Sequence, residues 1–159
     1  MRILDAALAV LAAFLFQSVL GRYLPALDGY VDLFAVISAG FGLVHGRMFG
    51  MLTGIAAGLV QDVFSGGHLG INGISKTTVG YVAGIAGHHL IIRGWSSRVL
   101  FFLLASGLDL VILAALGAAI EEPRVLGEGL RPIYLCIGNI IAGMILIRVI
   151  DRPERGELA

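Results

Sequence analysis

Long apolar runs with their charges pushed to the ends constrain this chain more than any other feature. A helix crosses a bilayer with about 20 mainly apolar residues. Four segments, 3–20, 71–92, 99–120 and 133–150, approach that length. Two more, 30–45 and 48–64, meet around His45, Gly46 and Arg47, and the second reaches a spanning length only by taking Gln61 and Asp62 to the membrane edge. Charged residues make up 14% of the 159, against about a quarter in soluble domains, and 58% are hydrophobic, so a water-soluble core is excluded. The expected architecture is an all-α integral membrane protein, six transmembrane helices in one domain over 1–159. A net charge of zero gives no reason to expect a nucleic-acid partner, and Cys136, alone in an apolar run, supports neither a disulfide nor a metal cluster.

The residues after the first run, Ser18-Val19-Leu20-Gly21-Arg22, lack a small-x-small cleavage site, so this run reads as an uncleaved first helix. Six helices place both termini on one side. Arg2, Arg47, Arg93, Arg98, Arg148, Arg152 and Arg155 fall on that side, against Arg22, Arg124 and Arg131 on the other, which predicts cytoplasmic termini. The longest loop, with Glu121, Glu122 and Glu128, then faces outward.

Twenty-three glycines are about twice ordinary usage. Gly46, Gly50, Gly54 and Gly58 recur every four residues, a spacing that lines one helix face and lets a neighbouring backbone approach. Gly80 and Gly84, with Gly87 nearby, repeat the device one helix later. The row serves either packing between these two helices or docking of another protein's helix. Intramembrane polar residues are costly and need partners. Lys76 and Asp109 lie within predicted spans; Asp62, close in depth to Lys76, is its first expected partner and Asp109 the alternative. Structural pairing and a place on a substrate or ion pathway are both open to Lys76 and Asp109. Gln17 and Asn139 suit interhelical hydrogen bonds, while Asp5 and Asp32 stand at helix starts, where a carboxylate caps. His45, His68, His88 and His89 have no zinc-site spacing, Gly40 and Gly42 do not form a dinucleotide fingerprint, and Ser65 and Ser106 lack a nucleophile-elbow context. Catalytic residues, cofactor and metal are therefore not expected. Trp95, Tyr23, Tyr30 and Tyr134 fall at predicted interfaces.

The most specific stretch is Gly54-Ile-Ala-Ala-Gly58-Leu-Val-Gln-Asp62-Val-Phe-Ser65-Gly66-Gly67-His-Leu-Gly70-Ile-Asn72-Gly73, followed by Gly80-Tyr81-Val-Ala-Gly84. Physically it is a close-packed helix, a carboxylate at its end, a glycine-rich turn and a second helix. It resembles the signature of the rod shape-determining protein MreD family, as does Val31-Asp32-Leu33, although that family usually has Pro at the position of Val31. Lys76 is not part of the family pattern. The resemblance implies a non-catalytic component of the bacterial inner membrane that works in the elongation machinery with MreC, MreB, RodA and a penicillin-binding transpeptidase, in contact with membrane lipid. It also implies a fold similar to the S-components of energy-coupling-factor transporters. The competing expectation is a carrier of a vitamin-sized molecule whose pocket uses Asp62, Asn72 and Lys76.

Overall fold

A computed structural model describes residues 2–23, 29–66, 68–89, 94–121 and 129–150. They form α1 (Arg2–Tyr23), α2 (Leu33–His45), α3 (Arg47–Ser65), α4 (Ile71–His89), α5 (Trp95–Ala119) and α6 (Arg131–Ile150). Arg93, Arg124, Arg152 and Arg155 from the cation count, Glu122 and Glu128 of the long loop, and Gly67 of the turn lie outside the described residues.

Large apolar side chains point outward and polar ones inward, the reverse of a water-soluble protein. Leu8, Leu15, Phe16, Val63, Leu104, Ile141 and Ile145 are exposed, while Asp32, Asp62, Ser75, Lys76, Asp109 and Asn139 are buried. Lipid satisfies the first group and only internal partners satisfy the second. Among the described residues, α1, α3, α5 and α6 are long and apolar enough to cross a membrane. The protein is an all-α membrane protein.

The other two helices depart from the composition of a span, and their positions explain why. With 13 residues, α2 is about 20 Å long, short of a bilayer core of about 30 Å. Every residue from Phe34 to Gly42 is buried, so this helix is surrounded by protein. It begins at Leu33, three residues later than the sequence predicts, because Asp32 is its N-cap and accepts from the Ala35 amide at 3.1 Å. In α4, Asn72, Ser75, Lys76, Thr77 and Thr78 lower the apolarity, and α2, α3 and α5 pack around it.

Close backbone approach holds this inner group together. A Cβ on Gly50 would fall on the Gly80 carbonyl oxygen, one on Gly54 on the Lys76 carbonyl, and one on Gly58 on Asn72 and Gly73. The glycine row therefore faces α4, and its descending register, 50 to 80, 54 to 76 and 58 to 72, makes the two helices antiparallel. Gly80 also meets Ser38, and Gly42 meets Gly80, so α2 enters the same contact, running parallel to α4. Gly46 does not belong to the row: it is the single residue between α2 and α3, with φ +89°, and a Cβ there would meet open space rather than α4. The four-residue spacing is genuine, but the helix starts only at Arg47. Gly84 packs against the backbone of Gly46 and Arg47, and Gly87 against Leu43.

On the outside, α5 and α6 pair through Gly143, which lies against the Phe102 ring, and α1 leans on α2 and α3.

Candidate functional site

At the end where α3 stops and α4 starts, the chain turns through Gly66, with φ +65°, and Gly70, with φ +101°, a backbone region that favours glycine. Asp62, in the last turn of α3, is 2% exposed and its carboxylate collects this turn. It accepts from the Gly70 amide at 2.8 Å, the Asn72 amide at 3.0 Å, the Asn72 side-chain Nδ2 at 3.0 Å and the Gly73 amide at 3.1 Å. A carboxylate offers about four acceptor directions, so Asp62 is saturated. The first amides of a helix have no partner within it. Asp62 supplies one across the turn and sets a negative charge against the positive end of α4. Ser65 donates to the Asp62 carbonyl at 3.3 Å, and its side chain is otherwise at the exposed edge.

One helical turn deeper, Lys76 is fully buried, and its Nζ meets three acceptors: Asp32 Oδ2 at 2.8 Å, Asn72 Oδ1 at 2.9 Å and Asp109 Oδ2 at 3.2 Å. An ammonium has three donors, so it too is saturated. The expected ion pair between Asp62 and Lys76 is thus corrected. Asn72 bridges them, its Nδ2 on Asp62 and its Oδ1 on Lys76, because Asp62 is committed to the start of α4 while Lys76 projects a turn further in. The alternative partner, Asp109, does pair with Lys76.

The second carboxylate on Lys76, that of Asp32, was legible only as a cap. It serves both ends: Oδ1 holds the Ala35 amide, and Oδ2 takes Lys76 together with Gln61 Nε2 at 3.2 Å. The Asp32 amide donates to Asn139 Oδ1 at 2.7 Å, and Asn139 Nδ2 donates to Ser106 Oγ at 3.1 Å. Ser75 donates to Asp109 Oδ1 at 2.5 Å. Ser38 donates to the Lys76 carbonyl at 2.6 Å, beside the place where Gly54 sits. The result is a continuous chain of polar contacts through α2, α3, α4, α5 and α6. Ser75 escaped the sequence reading, which placed Gln61 only at the membrane edge and weighed Ser106 only as a nucleophile, since a single serine or glutamine in an apolar segment carries no spacing signal.

Of the other residues singled out by sequence, Gly50, Gly54, Gly58, Gly73, Gly80 and Gly84 line the α3–α4 contact and its extension to Gly46, adjoining the network. Tyr81 points away from it and is 39% exposed. Gln17, at 3.0 Å from the Val31 carbonyl, ties α1 to the same end. Chemically, the arrangement is a fastening: its charged groups are directed at one another. Comparison with family models, with curated proteins and with solved structures returned no match.

Proposed function

We propose that this chain is a non-catalytic scaffold of the MreD kind. It sits in the bacterial inner membrane with both termini cytoplasmic, and it holds MreC in register with MreB, RodA and a penicillin-binding transpeptidase during cell-shape control and lateral peptidoglycan synthesis. The observation that carries this reading is the closure of Asp62 on Gly70, Asn72 and Gly73, which joins the residues behind the MreD resemblance into one structural unit. The motif then has a physical reason: Asp62 caps α4, Gly66 and Gly70 allow the turn, and Gly58 lets α4 approach. Support for a scaffold over an S-component-like carrier comes from Asp62, Asn72 and Lys76. The groups a carrier would turn toward a vitamin-sized cargo bind one another instead.

Co-purification of the tagged chain in mild detergent tests the proposal. A bitopic MreC-like protein that stays bound supports it; a small molecule or an energy-coupling ATPase module in its place overturns it in favour of the carrier. For orientation, a reporter active only outside the cytoplasm is expected to be silent after Glu157 and active near Gly127. The reverse result refutes the inward-facing termini.

A further inference from the structure

At the opposite end of the bundle from the charge network, α2 ends and α3 begins with Gly46 alone between them. This break forms the wall of a cavity of about 500 Å³ lined by His45, Gly46, Arg47, Gly84, His88 and His89, among others. Gly84 brings α4 onto the backbone of Gly46 and Arg47, and one turn later the same helix delivers His88 and His89. The His45 ring is stacked on Phe41 at 5.3 Å and lies 6.0 Å from Phe49, which fixes its plane. His89 is held through Nδ1 by the Ile85 carbonyl at 2.9 Å.

Among the described residues, the lining of this cavity is one-sided in charge: it contains an arginine and three histidines and no carboxylate. Gly46 gives α3 no side-chain cap and the first turn of α3 holds no acidic residue, so the positive end of that helix opens beside Arg47 without an anion supplied by its own sequence. The level of the cavity matters equally. Met48, which lines the cavity, and Val44, which precedes His45, are 65% and 41% exposed, so apolar side chains adjoin the basic lining, as at an end of a membrane helix where acyl chains give way to headgroups. An occupant with a phosphate at one end and an apolar body at the other satisfies both features.

We infer that this cavity binds a phosphate group at the membrane edge, that of an anionic phospholipid, with Arg47 and the start of α3 as its main contacts and His88 at its side. The site is separate from the Asp32, Lys76 and Asp109 network and does not depend on the scaffold reading.

Native mass spectrometry of the full chain in mild detergent, with phosphatidylglycerol or phosphatidylcholine of the same acyl chains, tests this. Phosphatidylglycerol is expected to be retained in excess. The Arg47 side chain is exposed, so Arg47→Gln is expected to fold with an unchanged melting midpoint. It should weaken phosphatidylglycerol retention on the order of tenfold, the loss of one charge-assisted hydrogen bond. His88→Gln weakens it less, and Arg47→Lys retains most of it. Added inorganic phosphate separates the sources: retention that survives it supports a headgroup, and competitive displacement supports the same site with a soluble phosphate compound as its occupant. Equal retention of the two lipids by the unaltered chain, or retention that persists in both Arg47→Gln and His88→Gln, overturns the assignment.

Discussion

α1 and α3 are both apolar enough to span a membrane, yet they are held in opposite ways. Along α1, Val10 and Ala13 are buried while Ile3, Leu4, Leu8, Leu11, Leu15, Phe16 and Val19 are exposed, and Gln17 supplies a hydrogen bond to the Val31 carbonyl ahead of α2. Along α3, three glycines lie directly on α4, and Gln61 and Asp62 join the buried polar chain. Lipid tails are as apolar as leucine, so burying an apolar side chain between helices gives little drive in a membrane. Close backbone packing and the need to satisfy polar groups decide what goes inside. The inner helices consequently require particular residues at particular places, whereas the outer one requires little more than apolarity.

The largest test of that contrast is Lys76→Met. Removing the ammonium leaves Asp32 and Asp109 buried against each other, and breaking a buried pair from one side costs about 3–5 kcal/mol. The expected outcome is a markedly lower melting midpoint and a reduced yield of folded monomer on size exclusion in detergent. Retention of ordinary yield and melting midpoint would remove the network from its structural role. Next comes Gly54→Leu, whose side chain must displace the Lys76 and Thr77 backbone, with a loss of about 1–3 kcal/mol by thermal melting whether or not a partner is present. Ala7→Leu, at an exposed position of α1, is the matched control and is expected to change stability by less than about 0.5 kcal/mol. A Gly54→Leu chain as stable as Ala7→Leu would erase the distinction between the two regions.

How much of this was legible in the sequence follows the same division. Helix number follows from the apolar runs, the glycine face of α3 from its four-residue spacing, and the special standing of Asp62 from its place at the end of that helix, because a period of four residues maps onto one helix face. The Asp32 to Lys76 pair does not. It joins residues 32 and 76 on two different helices, and nothing local to Asp32 separates a cap that stops at its own helix from one that also reaches a buried ammonium. Gly46 shows the converse limit: a correct period extended one step too far, into a residue whose positive φ breaks the helix. The short α2 was assignable as a helix but not as the interior one, since apolarity on all sides suits a lipid-facing and a protein-enclosed helix equally.

Smaller effects sharpen the comparison further. Asp62→Ala leaves four donors at the start of α4 without their carboxylate acceptor, and a lost cap of this kind costs about 0.5–2 kcal/mol, read as a lower melting midpoint. Asp62→Asn should fall between it and the unaltered chain. A smaller change is expected at the loosely held helix: Gln17→Leu removes the hydrogen bond to the Val31 carbonyl, worth about 0.6 kcal/mol. A loss at Gln17 larger than that at Asp62 would mean that α1 is fastened more firmly than its packing indicates.

Lys76 is fastened to Asp32 and Asp109 and reaches Asp62 through Asn72. Double-mutant cycles on the melting free energy in detergent test it directly, pairing Lys76→Met in turn with Asp32→Asn, Asp109→Asn and Asp62→Asn. Coupling of about 0.5–3 kcal/mol is expected for Asp32 and Asp109, and a clearly smaller value for Asp62. Additive effects with Asp32 and Asp109, or a coupling to Asp62 that exceeds both, would contradict it.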